Sequence, residues 1–148
     1  MALKEQIGDA MRAAMRAKDA PRLSAIRLLL AAIKQREIDE RRELTDEDVV
    51  AVVDRMIKQR RESIAHFEKG GRQDLASAEK FEISVLQDYL PQAMTDAEIA
   101  TTIDAAIASS GARAMADMGK VMAKLKPQLT GRTDMAKVAA LVKAKLGT

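Results

Sequence analysis

The sequence predicts an all-α protein: an N-terminal domain of about four helices followed by a C-terminal three-helix bundle. Three observations predict it. The 148-residue chain holds 27 alanines set among Leu, Met, Glu, Lys, Arg and Gln, the residues that lose least on entering a helix. Its 7 Gly and 3 Pro are few and gather at a handful of joints. Between the joints, apolar residues recur every three or four positions, the spacing of one helix face.

The first helix is expected from Leu3 to Lys18, with Leu3, Ile7, Met11 and Met15 inward and Arg12 and Arg16 off the stripe. Asp19-Ala20-Pro21 breaks the chain and restarts it, because Pro suits a first helical turn. The second helix then covers Pro21 to Arg42. Leu23, Ile26, Leu30 and Ile33 mark its face, and Leu28 and Leu29 widen it, so it reads as the most buried. Thr45 is the N-cap candidate of the third helix, with Asp48 at the third position and acids in a first turn that favours them. Val49, Val52, Val53, Met56, Ile57, Ile64 and Phe67 should face inward as far as Lys69, with Arg60 on the same stripe. Gly70-Gly71 ends the helix by permitting positive φ. A fourth helix, Arg72 to Leu90, should bury Leu75, Ala78, Leu86, Tyr89 and Leu90, with Glu82 between them, and stop at Pro91.

Beyond Pro91 the elements shorten. The chain reads as two domains, residues 1–92 and 93–148. Thr95 and Glu98 fit a capping box opening a fifth helix that runs to Ser109, where Ser110-Gly111 breaks it. Met118, Val121, Met122 and Leu125 define a sixth helix that Pro127 helps to stop. Thr130-Gly131-Arg132 is a turn, and Thr133 or Asp134 caps a last helix with Met135, Val138, Val142 and Leu146 inward.

With no Cys there is no disulfide, redox thiol or zinc-thiolate site, which makes a reducing cytoplasm the simpler expectation. The longest apolar run, Leu28 to Ile33, falls far short of the roughly 20 residues that span a bilayer. The N-terminus lacks the apolar segment of a signal peptide. The expectation is therefore a soluble cytoplasmic protein without membrane association.

The net charge of +3 hides an asymmetry. Residues 1–90 are balanced, with 17 basic and 17 acidic side chains. Residues 91–112 carry three acids and no base. Residues 113–148 carry eight bases (Arg113, Lys120, Lys124, Lys126, Arg132, Lys137, Lys143 and Lys145) against two acids, a local charge of +6. A basic cluster of this density suits a phosphate backbone, although solvated helix faces are lysine-rich as well. Lys120 and Lys124, four apart, share one exposed side of the sixth helix. With Asp117 as N-cap, the first-turn amides at Met118, Gly119 and Lys120 have no helical partner and lie beside a lysine, an arrangement that holds anions. The alternative is that Gly119 only lets a neighbouring helix approach. Arg132 in the Gly131 turn and Lys137 could extend the surface. No aromatic follows Tyr89, so the tail would read backbone and shape rather than stack on bases.

Signatures of catalysis are missing. There is no G-x-G-x-x-G, P-loop, H-E-x-x-H or Cys cluster, and no catalytic residue, cofactor or metal site is expected. Glu62 and His66 lie one helical turn apart, but His66 is the single His and the two read as a surface pair. Arg60 and Arg27 are expected to pair with Glu82 or Glu79 as structural buttresses. Phe67, Phe81 and Tyr89 read as shared core of the third and fourth helices. On the residues, a binding module fits better than an enzyme.

The segment MGKVMAKLKPQLTGRTDMAKVAALVKAKL, Met118 to Leu146, resembles the tail motif shared by the YqeY family and by the GatB protein of the glutamyl/aspartyl-tRNA amidotransferase, the GatB/YqeY tail. RLSAIRLLLAAIKQREID (Arg22–Asp39), IKQRRESIAHFEKGGRQDL (Ile57–Leu75) and EISVLQDYLP (Glu82–Pro91) resemble the N-terminal blocks of the YqeY family. The resemblance implies a helical first domain and a three-helix tail that faces tRNA. Within the matching tail lie Gly119, Lys120, Gly131, Arg132 and Lys137, and Lys124 adjoins them on the basic surface. The resemblance also carries the label of a carbon–nitrogen ligase with glutamine as amide donor, although the catalytic domains of the amidotransferase have no counterpart in this sequence. The functional expectation is a tRNA-binding or tRNA-amidation-associated accessory protein, with an amidotransferase or synthetase complex as a further partner. A helical protein-interaction adaptor and a glutamine-dependent amidotransferase are the alternatives.

Overall fold

A computed structural model describes residues 2–147. Among these residues it is all-helical, with seven α-helices and no strand. They fall into two compact units, the first ending at Leu90 and the second beginning at Pro91. None of the described helices is long and apolar enough to cross a membrane.

The first unit holds α1 (Leu3–Arg16), α2 (Ala20–Glu40), α3 (Asp46–Lys69) and α4 (Gln73–Gln87). Its core gathers Ile7 and Ala14 of α1, Ala25, Ile26, Leu29 and Ile33 of α2, Val49, Val52, Val53, Met56 and Ile57 of α3, and Val85 and Leu86 of α4. At several joints a side chain satisfies the orphan amides of a helix start. Asp19 accepts from Arg22 N at 3.2 Å. Thr45 and Asp48 form a reciprocal capping box, and Asp46 accepts from Leu3 N at 2.9 Å. Glu37 accepts from Lys4 Nζ at 2.9 Å and from Leu44 N at 3.0 Å, tying the start of α1 to the α2–α3 connection.

Several sequence expectations for this unit need correction. Helix α1 ends at Arg16, before Lys18 turns left-handed (φ 54°), and Met15 on its last turn is 49% exposed. Leu28 is 47% exposed, because the buried stripe of α2 runs through Ile26, Leu29 and Ile33 on the other side. The core stops at Ile57 in α3, so Ile64 and Phe67 are only half-buried. Leu75, Ala78 and Phe81 of α4 are exposed; this helix enters the core through Val85 and Leu86 near its C-terminal end. Of the three aromatics expected in a shared core, only Tyr89 packs against it. Arg60 lies 2.5 Å from Glu82 and 3.8 Å from Glu79, but its Nε–H is not aimed at either oxygen, so the contact is an ion pair without a directed hydrogen bond. Arg27 is exposed and joins neither acid. Glu62 and His66 are both exposed.

The second unit holds α5 (Asp96–Ser110), α6 (Met118–Leu129) and α7 (Met135–Leu146), with a single 3-10 turn at Met115–Asp117 leading into α6. Each helix gives three residues to a separate core: Ile99, Ile103 and Ala106; Val121, Leu125 and Leu129; Val138, Val142 and Leu146. Pro127 does not stop α6. It lies inside the final turn, exposed, while buried Leu129 anchors the helix two residues further on. Asp134, rather than Thr133, caps α7 by accepting from Ala136 N at 2.9 Å.

Candidate nucleic-acid interface

The six residues singled out from the sequence do not form one surface in the second unit. Gly131 takes φ 80°, a left-handed value that only glycine adopts without strain, and turns the chain between α6 and α7. Arg132 is a clasp. Its Nε donates to Gln92 O at 2.9 Å, and its own carbonyl accepts from Met94 N at 3.1 Å, which ties the entry of α5 to this turn. Lys124 donates to Ser109 Oγ of α5 at 3.0 Å. Lys137 pairs with Asp96 of α5 at 2.8 Å, and that ammonium holds the Asp96 carboxyl below the ordinary carboxylate range. Lys145 pairs likewise with Asp104.

The two α5–α7 pairs have the same 41-residue offset, and the partners on each helix are eight apart. Helices α5 and α7 therefore run parallel and are stitched in register. These cations neutralise acids of their own unit before they meet any ligand.

The start of α6 differs from its expected form too. Asp117 does not cap α6; its carboxylate accepts from Arg113 N at 3.0 Å and Ala114 N at 3.3 Å. Those two amides hold the carboxyl below its usual range. Met118 N is already bonded to Met115 O through the 3-10 turn. Lys120 stands 4.0 Å from Asp117 with its side chain 71% exposed. A Cβ at Gly119 would meet nothing within 4 Å, so this glycine does not serve close helix packing, and its backbone faces open space.

Four exposed basic side chains of this unit have no close internal partner. Arg113, Lys126 and Lys143 make no ion pair among the described residues, and Lys120 makes only the long contact to Asp117. Helices α6 and α7 contain no Asp or Glu at all. At 100° per residue from the buried stripes, Lys124 lies on the flank of α6 that reaches α5, and Lys126 lies on the opposite flank. On α7, Lys137 and Lys145 reach α5 while Lys143 lies on the opposite flank. Lys126 and Lys143 thus both border the α6–α7 seam. The unit is electrically polarised: three of its five acids lie on α5, Asp117 and Asp134 stand just before α6 and α7, and the bodies of α6 and α7 carry bases and no acid.

Sequence reasoning counted Lys126 and Lys143 but did not single them out. The signal that would have found them is the spacing match between Asp96/Asp104 and Lys137/Lys145, which marks the second pair as internal. Beside the first turns of α5, Met94, Ala97, Glu98, Thr101, Thr102 and Arg132 line a shallow depression of about 420 Å³. Thr101 and Thr102 turn their hydroxyls back to Ala97 O and Glu98 O, so neither points a donor into it.

Comparison with known proteins finds a match to the family described as Yqey-like protein over residues 4–146. A similar curated protein is "altered inheritance of mitochondria protein 41, mitochondrial" of Eremothecium gossypii, 40% identical over 99 residues, or 64% of this chain and 54% of that one. Its namesake in Kluyveromyces lactis is 42% identical over 80 residues (53% and 43%), and that of Saccharomyces cerevisiae 33% identical over 90 (60% and 49%). The chain spans about half the length of the curated relatives it matches. The names of these relatives are mitochondrial, which overturns the cytoplasmic expectation. The absence of Cys and of a long apolar run does not distinguish the cytoplasm from another aqueous compartment.

Proposed function

The chain belongs to the YqeY family, and on that premise we propose that it is an RNA-binding accessory protein whose second unit grips the phosphate backbone of tRNA. The observation that carries this reading is the polarised three-helix unit. Lys120, Lys126 and Lys143 project from two helices without acids, and Arg113 stands in the connection before α6. A cation that salt-bridges internally gives up part of its attraction for phosphate; Arg113, Lys126 and Lys143 keep theirs, and Lys120, 4.0 Å from Asp117, gives up a part. Gly119 leaves backbone uncovered at the edge of the same helix, while Asp117 beside it disfavours an anion at the helix start itself. The contact therefore rests on these basic side chains rather than on the first-turn amides of α6.

Such a surface binds by charge and shape. It offers no aromatic for stacking. An accessory role in tRNA amidation, in which this chain presents tRNA to a separate enzyme, follows from the resemblance of the tail motif and assigns no reaction to the chain itself. Titrating labelled tRNA against wild type and Lys126→Gln/Lys143→Gln at several salt concentrations tests the reading. Steep salt dependence in wild type that flattens in the variant supports it; salt-independent binding, or none, rejects it.

A further inference from the structure

We infer that the solvent face of α2 is a docking seam for a helix of a partner protein that carries acidic residues along its flanks. The observation is independent of the RNA reading and lies in the other unit. Leu28, Ala31, Gln35 and Ile38 occupy positions i, i+3, i+7 and i+10, the a/d spacing of a coiled-coil seam. Leu28 is 47% and Ile38 59% exposed, while Ile26, Leu29 and Ile33 on the opposite side are 0%, 0% and 1% exposed. Helix α2 is thus apolar on two sides, and only one has a partner within the unit. A single exposed leucine needs no explanation. Two large aliphatic residues on one heptad stripe, about 15 Å apart along the axis, form a surface that a second helix can cover.

The flanking charge selects the occupant. Arg27 and Lys34 are seven apart and border the seam on one side, and Arg41 follows seven residues later at the left-handed end of the helix. None of the three makes an ion pair among the described residues, although Arg36 and Arg42 nearby are tied to Glu40 and Asp48. Residues 20–36 contain no acid. Asp39, on the other flank, already accepts from Gln35 Nε2 at 2.9 Å. In a coiled coil, residues flanking the seam choose the partner by charge. A row of three cations without a close ion pair, of which only Lys34 feels a longer-range attraction to Glu37, attracts a helix with Glu or Asp at its e and g positions and repels a basic one. A second copy laid antiparallel would set this row of cations against itself, so antiparallel self-pairing is disfavoured.

The test uses the full chain and two labelled three-heptad peptides, each with Leu and Ile at a and d, one carrying Glu and the other Lys at e and g. Fluorescence anisotropy should show saturable binding of the Glu peptide, about tenfold or more tighter than the Lys peptide. Leu28→Ser/Ile38→Ser should weaken the Glu peptide about tenfold while leaving helix content unchanged, since both positions are solvent-exposed. Arg27→Glu/Lys34→Glu should reverse the preference between the peptides. Equal affinity for the two peptides, no saturable binding, or indifference to Leu28→Ser/Ile38→Ser overturns the inference. So does a dimer in sedimentation that this same variant dissolves, which assigns the seam to a second copy. Loss of tRNA binding in Arg27→Glu/Lys34→Glu without any peptide binding reassigns the row to RNA and overturns it equally.

Discussion

Replacing Lys126 and Lys143 together by Gln should flatten the salt dependence of tRNA binding while leaving the second unit folded. The reasoning starts from four cations without close partners, Arg113, Lys120, Lys126 and Lys143. If each neutralises one phosphate, the slope of log K against log salt is about −3.6 for a duplex segment. Raising salt from roughly 50 to 200 mM then weakens binding about 150-fold. With two cations left the slope falls to about −1.8, and the same change in salt costs only about 12-fold. Both lysines are exposed, so their removal should shift stability by no more than about 0.5 kcal/mol. Fluorescence anisotropy of labelled tRNA at four salt concentrations measures the slopes, and circular dichroism checks the fold. Lys137→Gln/Lys145→Gln is the control, because those ammonium groups are already held by Asp96 and Asp104. A control that flattens the slope as much as Lys126→Gln/Lys143→Gln refutes the reasoning, as does an unchanged slope in the latter.

The two glycines of the tail should respond in opposite ways. Gly131→Ala forces an L side chain to φ 80° and should destabilise the second unit by about 1–2 kcal/mol, read as a lower thermal midpoint. Gly119→Ala places its Cβ in open space on a helix, so it should leave stability unchanged or raise it by up to about 1 kcal/mol; a clear loss there would show that the site is packed after all. Leu125→Ala in the centre of the second core should cost about 2–5 kcal/mol, and chemical denaturation should show the loss. In the first unit, Arg42 and the Thr45 amide hold the Asp48 carboxyl far below its ordinary range. A depressed carboxyl stabilises the folded chain above its unfolded pKa of about 3.9 and loses that contribution as pH falls toward the folded value. Asp48→Asn should therefore lower the thermal midpoint at pH 7, and the gap to wild type should close below about pH 4; a gap that does not vary with pH contradicts this role.

Most of the fold is legible in the sequence because helix formation here rests on local signals. The Thr45/Asp48 box, the Asp19 cap before Pro21, and the Gly111 and Gly131 turns are each readable from a few adjacent residues. The errors fall where burial depends on what lies opposite. Leu28, Leu75 and Phe81 carry the right chemistry for a core, yet they are exposed, because periodicity says which residues share a face and not whether another element covers it. Helix α2 shows the limit most clearly. Its apolar residues surround the axis, so the pattern alone could not choose between the Ile26/Leu29/Ile33 side and the Leu28/Ile38 side. Pro127 is a similar case: it forgoes the N–H bond to the carbonyl four residues back, yet α6 continues through it to Leu129, which is held by its burial in the core.

The tail's charge is legible as a total and illegible as a surface, for a physical reason. A cation contributes to a binding face by what remains after its internal partners are subtracted, and those partners lie on other helices. Lys137 and Lys126 cannot be told apart by composition or local spacing. Only the packing of α5 beside α7 shows that Asp96 engages the first, while no acid of the described residues engages the second. The same subtraction removes Arg132, whose guanidinium holds Gln92 O, and weakens the start of α6, where Asp117 supplies the negative charge that a ligand would otherwise bring. It also brings out the α2 row, since Arg27, Lys34 and Arg41 stay unpaired in a unit whose total charge is balanced. Net charge by domain therefore points at the tail and misses the first unit, whereas unpaired charge by face finds a basic surface on each. The two surfaces differ in chemistry. The tail face is basic with no exposed apolar stripe beside Lys126 and Lys143, which suits a solvated phosphate backbone. The α2 face sets its cations beside Leu28 and Ile38, which suits a protein helix able to bury them.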